Sequence, residues 1–211
     1  MEKAKNYLVR TYGRRHGKSL SARQKQLVEN LLPALMPHGA CAGAILEIGF
    51  GAGEHLLELA PQYPDNVIIG AEPFINGVAQ LLSKMADENG AVRPQYKNIR
   101  IFPDDVRRLI SGADFRFSEI YILHPDPWPK ARHEKRRLCS AEFLKEISAL
   151  LSKGGKIVIG TDHADYYDWI LTEAARANLI AKTGGGVIKT RYQEKNMFGA
   201  EKTMYMTLSA R

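Results

Sequence analysis

A chain of 211 residues, of which 45% are hydrophobic, is long enough to bury one substantial core and short enough to form a single domain. It contains no run of 18 apolar residues and no apolar amino-terminal stretch, so we expect neither a membrane span nor a signal peptide. Its two cysteines, Cys41 and Cys139, are too few for a disulfide framework or a zinc site, so we expect a cytoplasmic protein without a metal.

The net charge of +7 is concentrated at one end of the chain. Residues 1–25 contain eight lysines and arginines and one acid, Glu2, which together account for the whole net charge. A basic arm attached to a neutral domain is typical of proteins that bind a polyanion, although a solvated tail is the alternative that the arm alone leaves open. We therefore predict a basic arm over residues 1–25 and one domain over residues 26–211.

After the arm, helical and strand patterns alternate along the chain. The predicted helices cover residues 21–35, 54–60, 75–87, 106–110, 141–151 and 164–177. The predicted strands cover residues 44–48, 67–71, 99–102, 120–123, 156–160 and 202–208. Such alternation predicts a mainly parallel sheet covered on both faces, with ligands at the carboxyl ends of the strands. Acidic residues follow or close five of these strands: Glu47, Glu72, the Asp104–Asp105 pair, Asp126 and Asp162.

Residues 46–54 combine an apolar strand, three alternate glycines (Gly49, Gly51 and Gly53) and a helix start. This pattern permits a tight turn that approaches a nucleotide cofactor closely, or a turn that binds nothing. A dinucleotide fingerprint needs a third glycine where this chain has Glu54. Glu47 suits the ammonium group of an amino-acid cofactor, and Glu72 is placed to accept hydrogen bonds from ribose hydroxyls. The pattern therefore favours S-adenosylmethionine over NAD.

A second informative segment covers residues 124–130, where prolines bracket Asp126 and Trp128 directly after a predicted buried strand. Prolines restrict the backbone, so we expect a stiff loop that holds both side chains at the edge of the sheet. An aromatic ring near a carboxylate suits a purine base, whereas inward packing of Trp128 is the alternative. The basic residues that follow, up to Arg137, are predicted to bind phosphate or to begin a solvated helix.

With these motifs, the chain resembles the bacterial tRNA (guanine-N7)-methyltransferases, class I enzymes that use S-adenosylmethionine to methylate guanine 46 in the tRNA variable loop. The matching segments are residues 13–18, 46–54, 72–74, 98–106, 125–137, 161–162 and 190–193, so the resemblance covers nearly the whole chain. The resemblance implies a Rossmann-like class I methyltransferase fold, with a mainly parallel seven-stranded sheet and helices on both faces. It also implies tRNA as the partner, with no obligatory protein partner.

By position, the resemblance implies cofactor contacts from the glycine turn and from four acids, Glu47, Glu72, Asp105 and Asp126. Asp126 resembles the proposed catalytic acid of the family. The implied substrate contacts are Lys130, Asp162, Thr190, Arg191, Tyr192 and Gln193. The chain departs from the family pattern at His124, where an aromatic residue is usual, and at Gln193, where a glutamate is usual. Because N7 of guanine already carries a lone pair, we expect catalysis mainly by placement of the reactants.

Three other functions fit parts of this sequence. A methyltransferase acting on an adenine amino group also carries an acid–proline–aromatic loop after its fourth strand, but the basic tail and residues 190–193 favour the tRNA enzyme. A non-catalytic RNA-binding module is opposed by the intact glycine turn and its acids. A dehydrogenase is opposed by Glu47 and Glu54.

Overall fold

The computed structural model describes residues 12–13, 15–39, 41–111, 114–184 and 203–211. The chain divides into two compact units, Met1–Phe115 and Arg116–Arg211. The predicted arm over residues 1–25 and domain over residues 26–211 stay predictions, because residues 1–11 and 14 of the arm lie outside the described residues.

The first unit contains a parallel sheet in the order β3-β2-β1. Its strands are β1 (Cys41–Ile48), β2 (Ile68–Ala71) and β3 (Ile99–Phe102). Its helices are α1 (Ala22–Asn30), α2 (Glu54–Gln62), α3 (Ile75–Met85) and α4 (Val106–Ile110), and 3₁₀ turns cover Leu32–Leu35 and Pro94–Tyr96. Because the three strands are parallel and in register, their carboxyl ends lie along one edge.

Local sequence explains most of these elements. Ser21 caps α1, and its side chain and that of Gln24 each bond the other's backbone N–H in a capping box. The single helix predicted over residues 21–35 is interrupted, because Pro33 has no N–H to donate and instead opens a separate 3₁₀ turn. Helix α3 has a buried, largely apolar face, formed by Gly77, Val78, Ala79, Leu81, Leu82 and Met85.

The second unit contains four strands in the order β4-β5-β7-β6. They are β4 (Phe115–Leu123), β5 (Leu151–Thr161), β6 (Leu179–Thr183) and β7 (Met204–Ala210). Its helices are α5 (Ala141–Ser148) and α6 (Ala164–Arg176), and a 3₁₀ turn covers Ala131–Arg136. Strands β4 and β5 are parallel, whereas β7 runs antiparallel to both β5 and β6.

Strand β6 has no counterpart among the strands predicted from the pattern. Only Leu179 of its five residues is buried, and the other four are exposed. A strand paired on one side only, with solvent-exposed side chains, has no apolar alternation in its sequence. It is formed by its pairing with β7, a contact that the local sequence does not encode.

The described residues thus contain seven strands, parallel in the first unit and mixed in the second, and they alternate with helices through most of the chain. The predicted α/β class is confirmed, with one antiparallel hairpin at its carboxyl-terminal end. None of the helices in the described ranges combines the length and apolar character needed to cross a membrane.

Candidate cofactor site and substrate loop

Three acids lie along the carboxyl edge of the sheet of the first unit. Glu47 is the penultimate residue of β1, at this edge of the sheet. Glu72 directly follows the last residue of β2, and two residues separate Asp105 from the end of β3. All three are buried, with 3%, 8% and 8% of their surface exposed. Buried carboxylates need hydrogen-bond donors or cations, so each identifies a point where the fold has organised polar groups.

The glycine turn between β1 and α2 has the open geometry that a ligand site requires. Gly49, Gly51 and Gly53 have φ values of 76°, 58° and 76°, a region that other residues seldom adopt. A Cβ atom would meet nothing within 4 Å at Gly49 or Gly51, whereas at Gly53 it would lie 2.5 Å from Leu81. The first two glycines therefore leave the backbone accessible, and the third allows α3 to pack against the turn.

Helix α3 supports this turn through two residues that the sequence reasoning missed. A Cβ atom at Gly77 would lie 2.2 Å from the carbonyl oxygen of Gly51, so only a residue without a side chain lets the helix come this close to the turn. The Lys84 ammonium donates to the Ala52 carbonyl at 2.8 Å and to the Glu54 carboxylate at 2.7 Å. Glycine inside a helix destabilises it by about 1 kcal/mol relative to alanine. A glycine within a predicted helix, such as Gly77, is therefore the sequence signal for a point where the helix packs closely on its neighbour.

Glu72 connects the end of β2 to the glycine turn. Its Oε2 accepts a hydrogen bond from Gly51 N–H, and its Oε1 accepts one from Phe74 N–H, both at 2.8 Å. A carboxylate accepts through both of its oxygens, so these two bonds fix the orientation of Glu72 relative to the turn. Two adjacent ribose hydroxyls are donors of the kind that this arrangement can accept.

Glu47 contacts a histidine, His55, that the sequence analysis did not consider. Its Oε2 lies 3.2 Å from Nδ1 of His55 in the first turn of α2, and both side chains are less than 10% exposed. The Glu47 carboxylate is therefore buried next to a histidine at the start of α2. The sequence reasoning did not include His55, because a histidine after a glycine turn is usually a surface residue.

Asp104 and Asp105 have separate roles. Asp105 caps α4, and its Oδ1 accepts from Arg107 N–H at 3.0 Å. Asp104 forms ion pairs at 2.6 Å with Arg108 and with Arg15 of the basic segment. Asp105 is the more buried of the two carboxylates. It lies between the carboxyl end of β3 and the start of α4, at the edge of the sheet where ligands of such folds bind.

Residues 15–18 of the basic segment dock on the start of α3. Asn76 accepts from Gly17 N–H at 2.8 Å and donates to the Lys18 carbonyl at 2.6 Å. A Cβ atom at Gly17 would lie 2.9 Å from Cζ of Phe74. Gly17 therefore permits close packing of this segment on α3. The side chains of His16 and Lys18 remain exposed.

In the second unit, the predicted stiff loop after β4 is strained at two residues. His124 and Trp128 have φ values of 51° and 42°, and non-glycine residues held in this region cost about 1–3 kcal/mol each. Asp126 is exposed between its two prolines. The amide of His124 donates to the Gly160 carbonyl at 2.8 Å and ties the start of the loop to β5.

Next to this loop, His124 and Asp162 lie at the ends of the parallel strands β4 and β5. Nδ1 of His124 is 4.0 Å from Oδ1 of Asp162. Burial lowers the pKa of His124 below its ordinary value, and the Asp162 carboxylate partly opposes this shift. His124 is therefore neutral at pH 7. Only 7% of its side chain is exposed, so its ring is packed and has little surface for a base to stack on.

The basic residues after Trp128 separate into an inner and an outer group. The outer residues, exposed to solvent, are Lys130, Arg132 and Lys135. Of the inner residues, Arg136 lies over the Trp128 ring at 4.9 Å, and Arg137 is buried with only 7% of its surface exposed. Partial desolvation and then the neighbouring cations lower the pKa of His133, which contacts Trp128 edge-on. The prediction that this cluster binds phosphate thus applies to the outer residues and not to Arg137.

Thr190, Arg191, Tyr192 and Gln193, predicted to contact the substrate, lie outside the described residues. Within the described ranges, no three His, Cys, Asp or Glu side chains are grouped so that they could hold a metal ion.

A glycine turn, a strand-end acid bonded to it and a proline-bracketed acidic loop on an α/β fold define a class I methyltransferase. Solved methyltransferases share the fold: the 16S rRNA methyltransferase KamB has a TM-score of 0.57 at 14% identity, covering 92% of this chain and 96% of its own. Human methyltransferase-like protein 13, solved in complex with SAH, has a TM-score of 0.51 at 14% identity, covering 91% and 83%. The model of the Methyltransf_4 family, described as "Putative methyltransferase", matches residues 42–196.

The chain belongs to the tRNA (guanine-N7)-methyltransferase family. The protein of that name from Sphingopyxis alaskensis is 40% identical, with 89% of each chain covered. The relative from Novosphingobium aromaticivorans is 39% identical, over 88% of this chain and 87% of its own. The relative from Paramagnetospirillum magneticum is 34% identical, over 93% and 91%. The predicted family membership is confirmed.

Proposed function

We propose that this protein transfers a methyl group from S-adenosylmethionine to N7 of guanine 46 in the variable loop of tRNA, in the cytoplasm. The observation that carries this proposal is the match to tRNA (guanine-N7)-methyltransferases over nearly nine-tenths of the chain, including the glycine turn and the Asp126 loop. When bound, S-adenosylmethionine supplies an electrophilic methyl group on a positively charged sulfur.

The first unit supplies the residues that would hold this cofactor. The backbone at Gly49 and Gly51 is open to close approach, and the Glu72 carboxylate, bonded to Gly51 N–H, would accept from the ribose hydroxyls. Glu47 provides negative charge behind the turn for the cofactor ammonium group, and Asp105 would accept from the adenine end. The residues present therefore fit a nucleoside that also carries an amino-acid group.

Asp126 would hold the guanine from the edge opposite to N7. Its carboxylate would accept hydrogen bonds from N1–H and the exocyclic amino group, which leaves the N7 lone pair free. No base is needed, because N7 carries no proton that would have to be removed before it attacks the methyl group. Catalysis therefore depends mainly on the orientation of the two reactants, which can lower the barrier by roughly 7–11 kcal/mol. The negative charge of Asp126 also offsets the positive charge that methylation places on the ring.

Cationic side chains would hold the RNA backbone on both units. In the second unit these are the exposed Lys130, Arg132 and Lys135, and in the first unit Lys18 on the docked segment. We propose Asp162, Thr190, Arg191, Tyr192 and Gln193 as further substrate contacts, as in the family pattern. Each phosphate contact removed should lower the slope of log affinity against log salt by about 0.7–0.9.

The experiment is transfer of a tritiated methyl group to unmodified tRNA, with digestion of the product to nucleosides. We expect labelled N7-methylguanosine, and we expect its loss when guanine 46 is replaced by adenine. Label in N6-methyladenine, or undiminished label after that replacement, would contradict the proposed target. Asp126→Asn should lower kcat on saturating tRNA.

A further inference from the structure

Arg137 is the last residue of a strongly basic run, yet its surroundings are those of a core residue. Only 5% of its side chain is exposed. Its guanidinium carbon lies 5.3 Å from the ring centre of Tyr166 and 5.1 Å from that of Trp169, both on α6. Planar guanidinium groups stack on aromatic faces, and a desolvated cation gains most from such contacts. Arg137 is therefore clamped to α6.

The same guanidinium reaches the loop that carries Asp126. Its Nε–H donates to the carbonyl of Pro127 at 2.9 Å, one residue beyond Asp126 and one before the strained Trp128. Because the loop alternates prolines with other residues, it has few N–H groups with which to hold itself. A strained backbone persists only where its surroundings restrain it, and the bond from Arg137 provides such a restraint.

Electrostatics also separate Arg137 from the exposed cations of the turn. Its Nη1 lies 4.0 Å from the carboxylate of Glu134, whose side chain is half exposed. Exposed arginines are available to phosphates, whereas Arg137 is buried, lies over two aromatic rings and donates its Nε–H to a carbonyl.

We propose that Arg137 is a positioning residue that holds the Pro127 carbonyl against α6, and thereby sets the orientation of Asp126 for catalysis. This inference rests on the proposed function of Asp126. A lysine at this position would keep the charge, but it has no Nε–H in the plane of a stacked guanidinium. Arg137→Lys therefore tests whether this residue positions the loop of Asp126, separately from whether its positive charge attracts RNA.

The test compares Arg137→Lys with Arg176→Lys, which changes an exposed arginine on α6. With the full chain, unmodified tRNA and S-adenosylmethionine, we expect Arg137→Lys to lower kcat at least tenfold with the KM for tRNA within threefold of wild type. Arg176→Lys should change neither. The salt slope of the KM should fall in Arg132→Gln and stay unchanged in Arg137→Gln. A wild-type kcat in Arg137→Lys, or a reduced slope in Arg137→Gln, would overturn the proposal.

Two measurements keep the inference testable where Arg137 variants do not fold. Trp169→Leu removes one ring of the clamp and should lower kcat, whereas Trp169→Phe should retain most of it; equal kcat in both would overturn the clamp. In the wild-type protein, nitrogen-15 NMR of arginine should show an Nε–H of Arg137 that exchanges slowly with water. Exchange as fast as that of Arg176 would also overturn it. This NMR result is independent of the methyl-transfer assay, so a wild-type protein inactive on tRNA would refute only the proposed function.

Discussion

Replacing Gly77 by alanine tests whether α3 sets the shape of the glycine turn. The added Cβ would lie 2.2 Å from the Gly51 carbonyl oxygen and 3.0 Å from its carbonyl carbon. Since Cβ atoms essentially never come within 3.0 Å of another heavy atom, the two backbones must separate by at least 0.8 Å. Neither contact is the end of a flexible side chain, so the shift cannot be absorbed by a rotamer change.

The effect should be larger on cofactor binding than on stability. Overpacking costs about 1–3 kcal/mol, and the better helix propensity of alanine returns about 1 kcal/mol, so we expect a net loss of about 0–2 kcal/mol. The displaced turn carries the Gly51 N–H that bonds to Glu72 at 2.8 Å. A hydrogen bond to a charged group contributes about 1.5–3 kcal/mol, which corresponds to about a 10- to 100-fold weaker Kd for S-adenosylmethionine.

Isothermal titration calorimetry with S-adenosylmethionine and thermal unfolding measure these two effects separately. Ser83→Ala is the matched control on the same helix, because the Ser83 hydroxyl donates to the Ala79 carbonyl within α3 at 2.8 Å. We expect the control to bind normally. A Gly77→Ala protein that binds S-adenosylmethionine with wild-type affinity would show that α3 does not shape the site.

Three other predictions concern single titratable groups. Glu72→Gln should weaken S-adenosylmethionine binding at least tenfold by calorimetry, and should weaken a 2′,3′-dideoxyribose analogue much less; equal losses would place Glu72 away from the ribose. Because burial lowers the pKa of folded His124 below 6.5, the unfolded chain binds more protons in this range, so the free energy of unfolding should fall as the pH drops below about 6.5. In urea denaturation between pH 7.5 and 5, His124→Asn should flatten this decline, and an unchanged slope would assign it to other groups. The pKa of His133, lowered by partial desolvation and neighbouring cations, should rise when tRNA phosphate binds at this turn. An NMR titration that gives the same pKa with and without tRNA would exclude this turn from the interface.

Local sequence was sufficient wherever the information lies within a few residues. The bounds of β3 and α4 and the Ser21 cap agree with the prediction, because periodicity and capping act within one or two turns. The glycine turn and the strand-end acids were also recognisable, since a glycine needed at positive φ and an acid after a buried strand are visible in the chain itself. The class of fold and the identity of the family followed from these short patterns.

Only the tertiary structure decided which partners those groups have. Lys84 reaches the turn across 30 or more residues of sequence, and His55 meets Glu47 only because α2 packs back on the end of β1. Arg137 and Arg132 are the same residue type in one basic run, yet Arg137 lies over the rings of Tyr166 and Trp169, whereas Arg132 is exposed. Their difference depends on the position of α6, which begins some 27 residues after Arg137 along the chain. Composition and periodicity determine which elements form, whereas the desolvation and contacts of each charge are set when those elements pack.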